Sequence, residues 1–67
     1  MRIYVNSELH EFSGDLSISG LLELVGIASA LGIAVAVNDN VIPKSQWATI
    51  RLNENDKVLI IRATQGG

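Results

Sequence analysis

Two glycines, Gly66 and Gly67, close the sequence directly behind a strand-like run, Lys57–Arg62. Glycine has no Cβ, so a Gly-Gly end is the slimmest and most permissive backbone a chain can offer. A carboxylate on such a stalk can enter a narrow active site that would exclude any other residue. The carboxylate of Gly67 is therefore the candidate working group. The bland alternative is a frayed or incidental end, because chain termini are usually tolerant of change.

Other side chains offer less. His10 is the only histidine, and a lone histidine in a strand is more often a surface residue than a ligand. Glu8, Glu11, Asp15, Glu23, Asp39, Glu54 and Asp56 are scattered, with no pairing that suits general acid–base work. Trp47, the only tryptophan, is expected to pack rather than to serve as a binding platform. Asn38-Asp39-Asn40, Pro43 and Gly14 read as turn chemistry. No phosphate-cradling glycine loop, metal-ligand cluster or nucleophile–base pair is present in the sequence. The expectation is that the chain is not an enzyme and binds no cofactor or metal.

At 67 residues, the chain has room for one small domain. A domain of this size buries about 60% of the surface its unfolded chain exposes, which leaves little space for a deep substrate pocket. With no cysteine, folding rests on packing alone, and a reducing cytoplasmic setting is expected. Five basic against seven acidic residues, a net charge of −2, argues against nucleic acid as a partner. Met1-Arg2 leads straight into alternating residues rather than into a signal peptide. The most apolar stretch, residues 21–37, is interrupted by Gly26, Gly32 and several alanines, so no membrane span is expected.

The elements that must carry the tail follow from local pattern. Arg2-Ile3-Tyr4-Val5 alternates, and Leu9-His10-Glu11-Phe12 follows across Asn6-Ser7-Glu8, which reads as a β-hairpin. Ser17 suits a helix N-cap, with Ile18, Leu21, Leu22, Val25 and Ala28 or Ser29 at helical spacing and Gly32 as the C′ residue. Gly20 and Gly26 should each weaken that helix by about 1 kcal/mol relative to alanine. Ala34-Val35-Ala36-Val37 reads as a strand closed by Asn38-Asp39-Asn40. Pro43 biases Ile42 toward an extended conformation. Ser45-Gln46-Trp47 suits one helical turn, residues 49–52 a brief strand, and Asn53-Glu54-Asn55-Asp56 a polar turn. The order predicts an α+β fold: a ubiquitin-like β-grasp with a mixed four- to five-stranded sheet packed on one α-helix. Residues 1–63 would form the domain and residues 64–67 a flexible diglycine tail. The helix can supply the right-handed crossover that sets the last strand beside the first.

The last strand is apolar on both faces. Val58 and Ile60 share one, Leu59 and Ile61 the other. A strand of this kind normally lies in a sheet covered on both sides. With a single helix available, one pair is left over, and exposed apolar patches often mark partner sites. Leu59 and Ile61 are the expected docking patch.

The second half of the chain resembles a known family. Val37-Asn38-Asp39-Asn40-Val41-Ile42-Pro43-Lys44-Ser45-Gln46-Trp47 is similar to the "vNg.vvpr..w" segment of ThiS-type sulfur carriers, the ubiquitin-like proteins of thiamine biosynthesis. Leu52-Asn53-Glu54-Asn55-Asp56-Lys57-Val58 resembles their "L.eGD.v" turn and strand entry, and Gly66-Gly67 matches their diglycine end. The resemblance covers about half the chain. Asn55 departs from it, standing where the family often has glycine before the aspartate.

That resemblance implies a carrier whose chemistry is done by partners. An adenylating enzyme with the ubiquitin-activating fold, of the ThiF type, would use ATP to turn the Gly67 carboxylate into an acyl-adenylate. Sulfur from a cysteine desulfurase, directly or through a relay protein, would replace AMP and leave a thiocarboxylate. A thiazole synthase of the ThiG type would then take the sulfur for thiamine. The chemistry suits the residues. A terminal carboxylate, with a pKa of about 3.3–3.7, is ionised at neutral pH and is a poor electrophile until activated. The chain's single sulfur, the Met1 thioether, is unreactive. Thr64, Gln65 and Gly66 would form the slender lead into a partner's active site. Three alternatives stand beside this one. They are another sulfur carrier such as the small subunit of molybdopterin synthase, a ubiquitin-like modifier of lysines, and a β-grasp interaction domain with an incidental diglycine.

Overall fold

The structure, a computed structural model, describes residues 1–27 and 32–62. Strand β1 (Arg2–Val5) and strand β2 (Glu8–Glu11) precede helix α1 (Ile18–Leu24). Strands β3 (Ile33–Val37) and β4 (Asn40–Ile42), a 3₁₀ turn (Lys44–Gln46) and strand β5 (Lys57–Arg62) follow. The strands form one sheet in the order β2-β1-β5-β3-β4. β5 runs parallel to β1 on one side and antiparallel to β3 on the other. This is the expected β-grasp, with the last strand at the centre of a mixed sheet.

Both hairpins turn through two residues with left-handed backbones. Asn6 and Ser7 have φ of 50° and 70°, and Asn38 and Asp39 have φ of 49° and 71°. Positive φ at both central residues is the mirror-image turn whose twist matches that of paired strands, and asparagine tolerates it. Asn55, at φ 69°, occupies another such position. Asparagine is the natural stand-in for glycine there, so the departure from the family pattern keeps the turn.

Alternation in β1 sends Ile3 and Val5 into the core. Ile18, Leu21 and Leu22 of α1 meet them, together with Val35, Trp47, Leu52 and Val58. The indole Nε1–H of Trp47 donates to the carbonyl of Ile42 at 2.9 Å, so its burial leaves no polar atom unpaired. Trp47 is a packing residue, as expected.

Three local expectations are corrected. First, residues 49–52 form no strand of the sheet. Their backbone bonds run to the start of α1 instead: Leu52 N–H to the Leu16 carbonyl at 2.8 Å, and Ile18 N–H to the Ile50 carbonyl at 3.3 Å. A single bridge between Ser17 and Arg51 turns Leu52 inward and Arg51 outward, which imitates strand alternation. Second, the strand between β3 and β5 is Asn40–Ile42, paired antiparallel to β3. Asn40 opens it rather than closing the turn.

Third, α1 ends at Leu24. Gly26 N–H donates to the Glu23 carbonyl and Ile27 N–H to the Leu22 carbonyl, at 3.1 and 2.9 Å. With Gly26 at φ 86°, this is a Schellman termination that satisfies the last carbonyls of the helix. Gly26 thus ends the helix instead of weakening its interior, and Gly32 (φ 71°) leads into β3. Ala28 and Ser29 lie outside the described residues. At the other end, the Ser17 hydroxyl accepts from Gly20 N–H at 3.0 Å, the predicted N-cap.

Candidate functional site

The candidate site is β5 and the chain that continues from it. Thr64, Gln65, Gly66 and Gly67, the expected tail, lie outside the described residues. The strand that carries them does not, and its two faces differ sharply. Val58 is 2% exposed and sits among the core residues, with Ile60 packed against them. Leu59 and Ile61 point the other way and are 49% and 47% exposed. The expected patch is therefore on the open face of the sheet.

Cross-strand register shows that the patch is wider than two residues. Val41, Ala36 and Leu59 lie opposite one another across β4, β3 and β5, and Ala34 lies opposite Ile61. The two alanines keep this part of the sheet low, so Val41 and Leu59 stand as apolar walls on either side of Ala36. The sequence alone pointed to Leu59 and Ile61 but not to Val41, because β4 had not been recognised as a strand. Beside Leu59, a surface hollow of about 360 Å³ is lined by Tyr4, Asn6, Ser7, Asp39 and Lys57 among others.

The edges of β5 are held by both hairpin turns. In a parallel ladder, the N–H of Ile60 would bond the main-chain carbonyl of Asn6. Asn6 has already turned away into the hairpin, and its side-chain Oδ1 takes that place at 2.7 Å, while its own N–H donates to the Val58 carbonyl at 2.9 Å. On the other edge, Asn38 N–H donates to the Lys57 carbonyl at 2.8 Å and Asn38 Oδ1 accepts from Lys57 N–H at 3.0 Å. The Asn38 amide also donates to Asp56 Oδ1, at 3.0 Å. Sequence reading assigned both Asn6 and Asn38 to turns alone, with no hold on β5.

Electrostatics are concentrated elsewhere. Arg2 Nε meets Glu54 Oε2 at 3.0 Å, and Arg2 N–H donates to Glu54 Oε1 at 3.1 Å. These hydrogen bonds from Arg2 hold the Glu54 carboxyl below the usual carboxylate range, and the hydrogen bond to Glu54 raises the Arg2 guanidinium. The pair lies at the end of the sheet where β5 begins, opposite the end from which the chain leaves. His10 contacts Glu8 at 3.1 Å and stacks on Phe12, away from the open face. Among the described residues, no group of His, Cys, Asp or Glu could hold a metal ion. Among them also, no helix is long and apolar enough to cross a membrane.

Comparison with known proteins decides the family. The family model described as the ThiS family matches residues 3–67. The chain belongs to the ThiS family. The fold agrees with that assignment. A crystal structure of the thiamine biosynthesis protein ThiS from Geobacter metallireducens superposes with a TM-score of 0.85 at 23% identity, covering 100% of both chains. An NMR solution structure of a thiamine biosynthesis protein from the same organism gives a TM-score of 0.80 at 23% identity, covering 100% of this chain and 88% of that one. No curated protein matches. As a ThiS-type chain it is a sulfur carrier, and the match extends through both glycines of the tail.

Proposed function

We propose that the carboxylate of Gly67 carries the sulfur, as a thiocarboxylate destined for the thiazole of thiamine. The observation that supports this most is the family match, which runs through Gly66-Gly67 over nearly the whole chain. The carboxylate oxygen attacks the α-phosphorus of ATP on a ThiF-type adenylating enzyme, and pyrophosphate leaves. A sulfide-level sulfur then attacks the carbonyl carbon of the acyl-adenylate, and AMP leaves. The sulfur is free sulfide or comes from the persulfide of a cysteine desulfurase or a relay protein. In the second case the persulfide displaces AMP to give an acyl disulfide. A thiol of the partner then cleaves its S–S bond, releasing the thiocarboxylate and leaving a disulfide on the partner. A ThiG-type thiazole synthase accepts it.

In this scheme the chain supplies no catalytic group and binds no cofactor; ATP is consumed on the partner. That fits a sequence without cysteine and without a phosphate-binding loop. Thr64, Gln65 and Gly66 thread the partner's channel. Leu59 and Ile61 dock on the adenylating enzyme, with Val41 and Ala34 beside them. Burying such a patch offers about 25 cal/mol per Å² of apolar area, and it lies on the strand that leads to the reacting end. The cytosol is the setting.

The test is the intact mass of the chain after incubation with the adenylating enzyme, ATP and sulfide. The expected result is the gain for one oxygen replaced by one sulfur. It should be lost when Gly67 is deleted or when the chain is extended past it, with the fold intact in both variants. An unchanged wild-type mass beside a competent enzyme would move the chain to the class of plain interaction domains. Higher-mass conjugates to lysines in cells would make it a modifier instead.

A further inference from the structure

β5 is gripped at both edges by the same device, yet the two grips fall at different points. Asn38 holds Lys57, the first residue of the strand. Beyond it, β3 takes over that edge with main-chain pairing that continues to Ile33 opposite Arg62. The Asn38 side chain therefore holds only the first residue of a strand whose remaining length on that edge is paired main chain to main chain. On the other edge, β1 pairs only as far as Val5 opposite Val58. Past that point the hairpin has turned away, and the Asn6 carboxamide is the last hold on β5 from the β1 side among the described residues. It grips Ile60, which lies between Leu59 and Ile61.

We propose that Asn6 is a positioning residue for sulfur transfer. It extends the β1 edge by one side chain and so fixes the course of β5 where the strand presents its apolar pair and leads on to Gly67. This rests on the carrier reading above. The requirement on residue 6 is double: a backbone that accepts φ of 50°, and an oxygen three bonds beyond Cα. Asparagine and aspartate meet both. Glycine meets the first and not the second, which separates the turn from the grip.

The experiment compares wild type with Asn6→Gly, Asn6→Asp and Asn38→Gly. The readouts are the kcat/KM of sulfur loading by the adenylating enzyme with ATP and sulfide, amide hydrogen exchange, and Tm. N6G should raise the exchange rate of the Ile60 amide and lower kcat/KM, each roughly fivefold or more, the scale of one modest hydrogen bond. The amides of Ile3 and Val35 should keep their protection. N6D should restore both quantities. N38G should lower Tm while leaving kcat/KM near the wild-type value, well below the transition.

Wild-type kcat/KM in N6G, or an N6D variant as impaired as N6G, would overturn the role of Asn6 and leave the carrier reading standing. A wild-type chain that gains no sulfur would sink the carrier reading itself, and the delivery role with it. Unchanged Ile60 exchange in N6G would show that the carboxamide does not hold the strand.

Discussion

The two faces of β5 are built from the same kinds of residue and do different work. Val58 and Ile60 lie under the helix, whereas Leu59 and Ile61 lie on the open side at about half exposure. β-propensity and hydrophobicity do not tell them apart. What differs is the covering layer: α1 and the segment around Trp47 and Leu52 close one face. The inner pair stabilises the domain. The outer pair leaves an apolar surface half exposed, the kind of surface that the proposed docking on an adenylating enzyme would cover.

The sharpest way to break this comparison is to put the same charge on each face. Val58→Asp would bury a carboxylate with no partner, at a cost on the order of 4 kcal/mol. For a domain this small that is most of the stability, so no cooperative unfolding transition should be seen by circular dichroism at pH 7. Leu59→Asp or Ile61→Asp should leave Tm within about 5 °C of wild type, because the charge stays hydrated. Either should weaken binding to the adenylating enzyme about tenfold or more in titration calorimetry, the range for residues that anchor an interface. A large fall in Tm with unchanged affinity would mean that the outer face is structural.

A smaller effect tests where the covering layer ends. Gly26→Ala forces a side chain into a left-handed backbone at the Schellman turn, at a cost of about 1–2 kcal/mol. That predicts a Tm lower by roughly 5–15 °C with unchanged enzyme affinity. An equal loss of affinity would tie the helix end to the docking face.

The smallest effect concerns Arg2 and Glu54, at the end of the sheet away from the tail. The folded Glu54 carboxyl sits below its ordinary value. Its pairing therefore stabilises the fold above the unfolded value of about 4.3 and is lost as pH falls through the lower folded value. Glu54→Gln should have a slightly lower Tm than wild type at pH 7, and the two melting curves should converge as the pH falls from the unfolded value of about 4.3 through the lower folded one. Sulfur loading at pH 7 should be the same in both. A difference in loading would connect this pair to the site.

Some of this was legible in the residues because its cause is local. Alternation in Arg2-Ile3-Tyr4-Val5 set the inward face of β1, and Ser17 with the 18-21-22 spacing set the start and buried stripe of α1. That one apolar side of β5 would be left uncovered followed from counting covering elements. The misread parts have non-local causes. Residues 49–52 alternate because one bridge to Ser17 holds them against the helix start, not because a sheet neighbour pairs with them. Asn40–Ile42 is a strand because β3 lies beside it, and three residues carry too little pattern to show this alone. The helix stopped at Gly26 rather than Gly32 because the Schellman bonds close there, a choice between two glycines that periodicity did not make.

By itself, the sequence determined the element types of the main strands and helix, the diglycine end and the apolar character of β5 on both faces. Those properties depend on side-chain type and on neighbours a few positions away. Only the tertiary structure decided that Asn6 meets Ile60 and that Asn38 meets Lys57, and that Val41 and Ala34 join Leu59 and Ile61 on one surface. These meetings join residues that are distant along the chain, and they exist only once β5 has been placed between β1 and β3. Hydrogen bonds and apolar contacts act over a few ångströms, so their partners are set by the folded path of the chain and not by its order.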